Sequence, residues 1–396
     1  MNKKRERKRR TKKVILIVLA CLLALILLAA VAAMILLNRM LGLINRVGPT
    51  EYTVSSSEAE VIIGSDPDLI PIDPTASDPY VHPSDITPPT GVLDTTLPTD
   101  PAPSGTEQSG TGPNATTPTT KPKPPAPPAP DIYGEHLVNI LLVGQDRWEG
   151  QSRQRSDSMI LVSINKSDNT ITLTSFMRDM YVYIPGYKPN KLNAAYAFGG
   201  MSLLSKTLEV NFGVKVDGVV EVNLSGFSKL IDMLGGVEVT LTKSEAKYLN
   251  DLYYEAKILD SPVVVGKNRL DGDQALVYVR LREIDTDYQR ARRQRTVIAA
   301  LIEAYKNQPL DQMIGMMDDI LPLITTNLTN TEILGYAVDL FPLLSTAKVQ
   351  TLRIPVEGTF VGGLVVIRPG FYGWFQYNIN FEANKEVLWE LFRRKN

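Results

Sequence analysis

The side chains of this chain that could do chemistry fall in four short stretches. The first joins Gly144-Gln145-Asp146-Arg147 to Arg155-Ser156-Asp157-Ser158. Asp146 follows one apolar run and Asp157 precedes the next. If those runs are neighbouring antiparallel strands, both carboxylates stand at the same end of a sheet. Two carboxylates so placed can hold a hard divalent cation such as magnesium, with water and phosphate oxygens filling the rest of its shell. Spacing alone favours the plainer alternative, an Asp that caps a turn. The second stretch is Met177-Arg178-Asp179, directly after another apolar run. Arg178 offers a bidentate fork to phosphate, and Asp179 either takes a proton or pairs with an arginine. The third is Lys191-Leu192-Asn193-Ala194-Ala195-Tyr196. Lys191 is either a point-charge phosphate contact or an ordinary solvent-exposed lysine.

The fourth stretch, YVRLREIDTDYQRARRQR at 278–295, holds six arginines against three acids. With a helix from Tyr288 onwards, Arg290 and Gln294 share one face and Asp287 lies one turn before Arg290. A charge run usually forms a solvated face laced with its own ion pairs. Here Val297, Ile298 and Leu301 continue the helix as a buried stripe. A dense arginine cluster at the head of a core helix suits two linked phosphates.

Other chemistries lose their residues. The single cysteine, Cys21, lies inside the longest apolar run, which excludes a disulfide framework within one chain and a Cys-based zinc site. The two histidines are His82, in low-complexity sequence, and His136, at a domain edge. They argue against Ser-His-Asp hydrolysis, a Cys-His nucleophile and a two-His metalloprotease helix. Neither a GxxxxGK[ST] loop nor a GxGxxG fingerprint occurs, so nucleotide-binding folds lose their best support.

The elements that must position these residues follow from hydrophobic pattern and turn signals. Strands are predicted at 137–143, 159–164, 171–174, 219–222, 237–241 and 349–354. Helices are predicted at 200–211, 227–234, 244–256, 271–279, 288–306, 331–344 and 380–394. Their alternation predicts an α/β layered domain over 131–396, with a mixed central sheet flanked by helices. That domain holds 29 basic and 31 acidic residues, so no bulk attraction to nucleic acid is expected.

The remainder is organised differently. Residues 1–13 are almost continuously basic, and Val14 to Leu37 is a run of 24 residues without a charge. As a helix it spans roughly 36 Å, enough to cross a hydrocarbon core of about 30 Å. It is longer than a signal-peptide core, so an uncleaved anchor is expected. The preceding charges put the N-terminus in the cytoplasm and the domain outside. Residues 48–130 are acidic and rich in Pro, Thr and Ser, with too few large apolar side chains to offset the entropy of ordering. They read as a disordered linker.

Taken in order, LLVGQD, RSDSMILVSIN, the Arg-Asp after a strand, KLNAAYAFGG, EVNLSGFSKLIDMLGGVEV, LDGDQALVYVRLR and DYQRARRQR resemble the LytR-CpsA-Psr family. The resemblance covers about 137–300, with a family-like tail to the C-terminus. It implies a magnesium-assisted phosphotransferase that moves a glycopolymer, such as teichoic acid or capsular polysaccharide, from polyprenyl pyrophosphate to peptidoglycan. It makes Asp146 and Asp157 the metal carboxylates. It makes Arg178, Lys191, Arg280, Arg282, Arg290 and Gln294 the pyrophosphate-binding set; on the predicted helix face, Arg292 and Arg295 are expected to be more exposed. Asp287 falls where the family has an acid near the head group, and Arg178, Asp179 and Asp287 are the catalytic candidates. Two departures stand out. Met177 replaces a usual proline and is expected to loosen the turn before Arg178. Gln145 replaces a usual small hydroxyl residue. Neither removes a charge, so activity is expected. Two other classes remain: a transcriptional attenuator, which needs residues 1–13 to bind DNA, and a non-catalytic binding module for lipid or wall polymer, which needs the acidic pair to be dispensable.

Overall fold

The structure, a computed structural model, describes residues 38–47, 132–145, 155–255, 260–306, 316, 319–344, 346–368 and 371–394. The expected anchor at 14–37, the linker at 48–130 and Asp146 lie outside these residues. Among the described residues no helix is long and apolar enough to cross a membrane.

The elements form where pattern and punctuation agree. After β1 (Asn45–Arg46) come β2 (Leu137–Gln145) and β3 (Ser156–Asn165). Both read as near-continuous apolar runs because most of their residues are buried on either face. A turn with Asn169 at φ 54° leads into β4 (Thr170–Phe176); Asn tolerates the left-handed region better than most residues. The hairpin β5 (Tyr181–Ile184) and β6 (Tyr187–Lys191) follows, turning at Gly186 with φ 77°. Helix α1 (Leu192–Phe212) kinks at Gly199 and Gly200 and stops at Gly213, φ 65°. Next come β7 (Gly218–Val222), α2 (Leu224–Met233), β8 (Val237–Leu241) and α3 (Lys243–Tyr254). Strand β9 (Gly266–Leu270), α4 (Gly272–Arg280) and α5 (Asp287–Lys306) complete the middle of the chain. The last elements are β10 (Ile324–Thr326), α6 (Asn330–Leu344), β11 (Lys348–Ile354), β12 (Val361–Arg368), β13 (Phe371–Tyr377) and α7 (Phe381–Phe392). Helices α3 and α4 each start on a capping box, Thr242 with Glu245 and Asp271 with Gln274, in which side chain and backbone satisfy each other's orphan N–H groups.

The chain divides into two compact units. The first contains 132–142, 155–217 and 346–394 of the described residues. In it the strand order is β2-β3-β4-β11. Strand β4 is antiparallel to β3 and parallel to β11, so the sheet is mixed, as the sequence predicts. Helices α1 and α7 pack against β3 and each other. Aromatic side chains from these helices and from β4 fill the core: Phe212 of α1 lies 5.4 Å from Phe176 of β4 and 5.3 Å from Phe381 of α7, centroid to centroid. Burying each such ring contributes about 1.5–3 kcal/mol.

The second unit contains 38–47, 143–145 and 218–344 of the described residues. Here β10 is parallel to β1 and antiparallel to β7, while β8 and β9 form a separate antiparallel pair. Its core joins Ile231, Val237, Val239, Leu249, Leu270, Tyr278 and Val297 from α2, β8, α3, β9, α4 and α5.

Several elements differ from the sequence expectation. Helix α1 begins at Leu192 rather than near 200, so Lys191 is its N-cap residue. The kink explains the miss: glycines at 199 and 200 punctuate a pattern that resumes beyond them. The hairpins β5–β6 and β12–β13, and the strands β9 and β10, were not expected at all; most are short, and several carry Gly or Pro.

Candidate phosphate-binding site

In the first unit, four of the expected residues come together around one loop. Asp157 is the second residue of β3, inside the strand rather than before it. Arg178 and Asp179 follow the end of β4, and Lys191 ends β6. The Arg178 guanidinium donates from Nη1 to Asp157 Oδ1. Its Nε lies 3.4 Å from Asp179 Oδ2, and Lys191 Nζ lies 2.6 Å from Asp179 Oδ1. One carboxylate therefore sits between two cations, each through a different oxygen. The Lys191 contact is a short charge-assisted hydrogen bond, stronger than a neutral one, whereas the longer Arg178 contact is an ion pair. All four side chains are half-buried, Asp157 the most open at 32% exposure.

The loop that carries Arg178 and Asp179 is pinned by backbone hydrogen bonds from three elements. Met177 N–H donates to Ile354 C=O of β11 at 2.8 Å. Leu192 N–H and Asn193 N–H of α1 donate to Met180 C=O and Arg178 C=O at 2.9 and 3.2 Å, and Gln376 N–H of β13 donates to Asp179 C=O at 2.9 Å. This corrects the expectation for Met177. A proline there has no N–H, so the methionine adds a tie to the turn instead of loosening it. Gln145, the other departure, is buried at the end of β2.

In the second unit, the arginine-rich stretch forms a second cluster. Arg280 ends α4 and is exposed. Arg282 is exposed, with Nε 3.8 Å from Asp287 Oδ1. Asp287 opens α5, where its carboxylate favours the positive end of the helix, and its Oδ2 lies 3.0 Å from Arg290 Nη2. The Arg290 side chain is only 5% exposed, and its Nε–H meets no acceptor among the described residues. A buried donor left over in this way calls for an explanation. Gln294, one turn on, reaches Val279 C=O at 3.5 Å.

Arg292 is exposed, as expected, but Arg295 is buried, which corrects that part of the reading. The reason is the phase of α5: Ala291, Arg293, Arg295 and Val297 are all buried, so its packed face is wider than a single apolar stripe.

Sequence reasoning missed Arg293. It is 1% exposed and forks onto Asp285 at 2.7 and 2.8 Å, reaches Glu245 at 3.3 Å, and donates to Leu281 C=O at 2.6 Å. Burial alone lowers its pKa, but the hydrogen bonds and charges of Asp285 and Glu245 outweigh it and the net shift is upward. Burial, with the charge of Glu245, pushes the neighbouring Tyr278 phenol up to about 12, so it stays neutral. Arg293 is thus the internal ion pair of the plainer reading, and it holds the 281–285 loop that carries Arg282. Its spacing of four from Val297 was the available signal.

Residues 108–370 match the LytR_cpsA_psr family model. The polyisoprenyl-teichoic acid–peptidoglycan teichoic acid transferase TagT of Bacillus subtilis (strain 168) is 36% identical over 228 residues, 56% of this chain and 68% of that protein. Biofilm regulatory protein A of Streptococcus mutans serotype c is 33% identical over 252 residues, 59% of this chain and 60% of that protein. A solved structure of TagT bound to LIIa-WTA has a TM-score of 0.51 at 29% identity, covering 65% of this chain and 90% of that one. With two ordered clusters of matching residues and a family match over more than half its length, this chain belongs to the LytR_cpsA_psr family.

Proposed function

We propose that this chain transfers a glycopolymer from polyprenyl pyrophosphate to peptidoglycan. The observation that carries the reading is the Asp179 carboxylate held between Arg178 and Lys191 on a loop tied down by three elements. Support comes from its likeness to the transferase TagT. The acceptor hydroxyl attacks the phosphorus nearer the polymer, the bond from that phosphorus to the bridging oxygen breaks, and polyprenyl phosphate leaves with the bridging oxygen and takes up the hydroxyl proton. The transition state of phosphoryl transfer asks for alignment and charge compensation rather than a strong base. Arg178 and Lys191 supply positive charge, and Asp179 orients both. In the second unit Arg280, Arg282 and Arg290 offer phosphate the same chemistry, with Asp287 aligning Arg282 and Arg290 and Gln294 adding a neutral donor. The Nε–H of Arg290, which meets no acceptor among the described residues, is a donor that a substrate oxygen would satisfy.

Magnesium belongs to the proposal. Asp157 is a hard oxygen donor with a third of its side chain open to solvent. Magnesium keeps several waters and takes one or two carboxylates from a protein, so Asp157 fits, with Asp146 as the expected second donor. The ion would neutralise pyrophosphate charge. The basic 1–13 and uncharged 14–37 segments support a single anchor with the catalytic domain outside the cell membrane. Asp157→Asn should raise the magnesium needed for half-maximal turnover by more than the roughly tenfold that loss of a supporting residue causes. An unchanged magnesium titration would remove Asp157 from the metal site.

A further inference from the structure

Lys191 has a second neighbour that its sequence surroundings do not announce. Its Nζ lies 4.7 Å from the centroid of the Phe375 ring, while the same atom is 2.6 Å from Asp179 Oδ1. Phe375 is on β13, beyond the residues that match the family. It is 5% exposed, packs with Tyr377 and Tyr181, and meets the Tyr181 ring edge-on at 5.8 Å. The next residue, Gln376, donates its N–H to Asp179 C=O, and Met180 bridges Gln376 in parallel. Ring and carboxylate are therefore fixed to one another through backbone, and the ammonium is held by both.

We propose that Phe375 is a positioning residue for Lys191: its ring face holds the ammonium beside Asp179 and leaves the remaining N–H bonds for a phosphate of the donor lipid. This rests on the reading of Lys191 as a phosphate contact. The physical case is electrostatic. The face of an aromatic ring is negative and attracts a cation without presenting a lone pair. A lysine ammonium has three N–H donors on a flexible stem. Asp179 engages one donor and sets the direction of the stem from one side, and the ring confines the head from the other. An aliphatic side chain of similar size would fill the space but leave the ammonium held by Asp179 alone.

The test uses the full chain in lipid nanodiscs containing a polyprenyl pyrophosphate. At 375, phenylalanine is replaced by its mono-, di- and trifluorinated analogues, which keep the shape and weaken the negative ring face in steps. Affinity for the lipid pyrophosphate should fall stepwise with fluorine count, reaching about tenfold with Phe375→Leu, and Phe375→Tyr should restore it. In a Lys191→Met background the same series should be flat. In parallel, the methyl signal of reductively methylated Lys191 should be shifted upfield by the ring and lose that shift in Phe375→Leu. A flat fluorine series in the wild-type background, or an equal slope without Lys191, overturns the proposal. A missing ring shift overturns the contact itself. A shifted Lys191 signal in a chain that does not bind polyprenyl pyrophosphate overturns the phosphate role of Lys191, and is told apart from loss of the contact by that signal.

Discussion

At the residue scale, Arg290 and Arg293 stand one turn apart on α5 and have different partners. Arg293 is enclosed by Asp285, Glu245 and Leu281 C=O. Removing one member of a buried pair leaves its partners without compensation, so Arg293→Met should destabilise the domain by about 3 kcal/mol. Chemical denaturation checks this; a loss below 1 kcal/mol would show that the pair adds little. Among the described residues Arg290 pairs with Asp287, and unlike Arg293 its guanidinium meets no second carboxylate and no backbone carbonyl there. Arg290→Ala should therefore weaken lipid pyrophosphate binding by roughly 1.5–3 kcal/mol, and Arg292→Ala, at an exposed position, by far less. Titration calorimetry giving the reverse order would refute the assignment. The shared face of Arg290 and Gln294 was legible, because i and i+4 are neighbours on any helix. The burial of Arg293 and Arg295 was not, because it depends on packing that includes Glu245, 48 residues away from Arg293. Nor was the contact of Phe375 with Lys191, which depends on where a C-terminal strand returns.

At the element scale, the kink in α1 separates the turns that follow Lys191 from the rest of the helix. Gly200 takes φ 60° and ψ −148° there, a region essentially reserved for glycine. Gly200→Ala should cost about 1–3 kcal/mol, read as a lower midpoint of thermal or denaturant unfolding. An unchanged midpoint would mean the helix absorbs the change. The central strands β2 and β3 were legible because both faces are buried and the apolar run is long, and β4 because the turn residues at 166–169 set off its short β-branched run. The hairpin β5–β6 was not. Its second strand, Tyr187–Lys191, has no alternation and contains a proline, and it holds because pairing with β5 and the backbone tie from Leu192 to Met180 fix it in place. The two capping boxes mark the starts of α3 and α4 to within a residue, since side-chain oxygens at those positions have one good use.

At the scale of the whole molecule, each unit holds its own cluster of cations set by ordered acids. In the proposed reaction the energy for transfer arrives in the substrate, as the phosphoanhydride of the lipid pyrophosphate. The most direct measurement mixes the full chain in membrane vesicles with magnesium, a polyprenyl-pyrophosphate-linked glycan and uncrosslinked peptidoglycan oligomers, and follows products by mass spectrometry. The account predicts a phosphodiester-linked glycan–peptidoglycan product with equimolar polyprenyl phosphate, both lost in Arg178→Ala. Tight binding of the lipid with no product from any acceptor would contradict it.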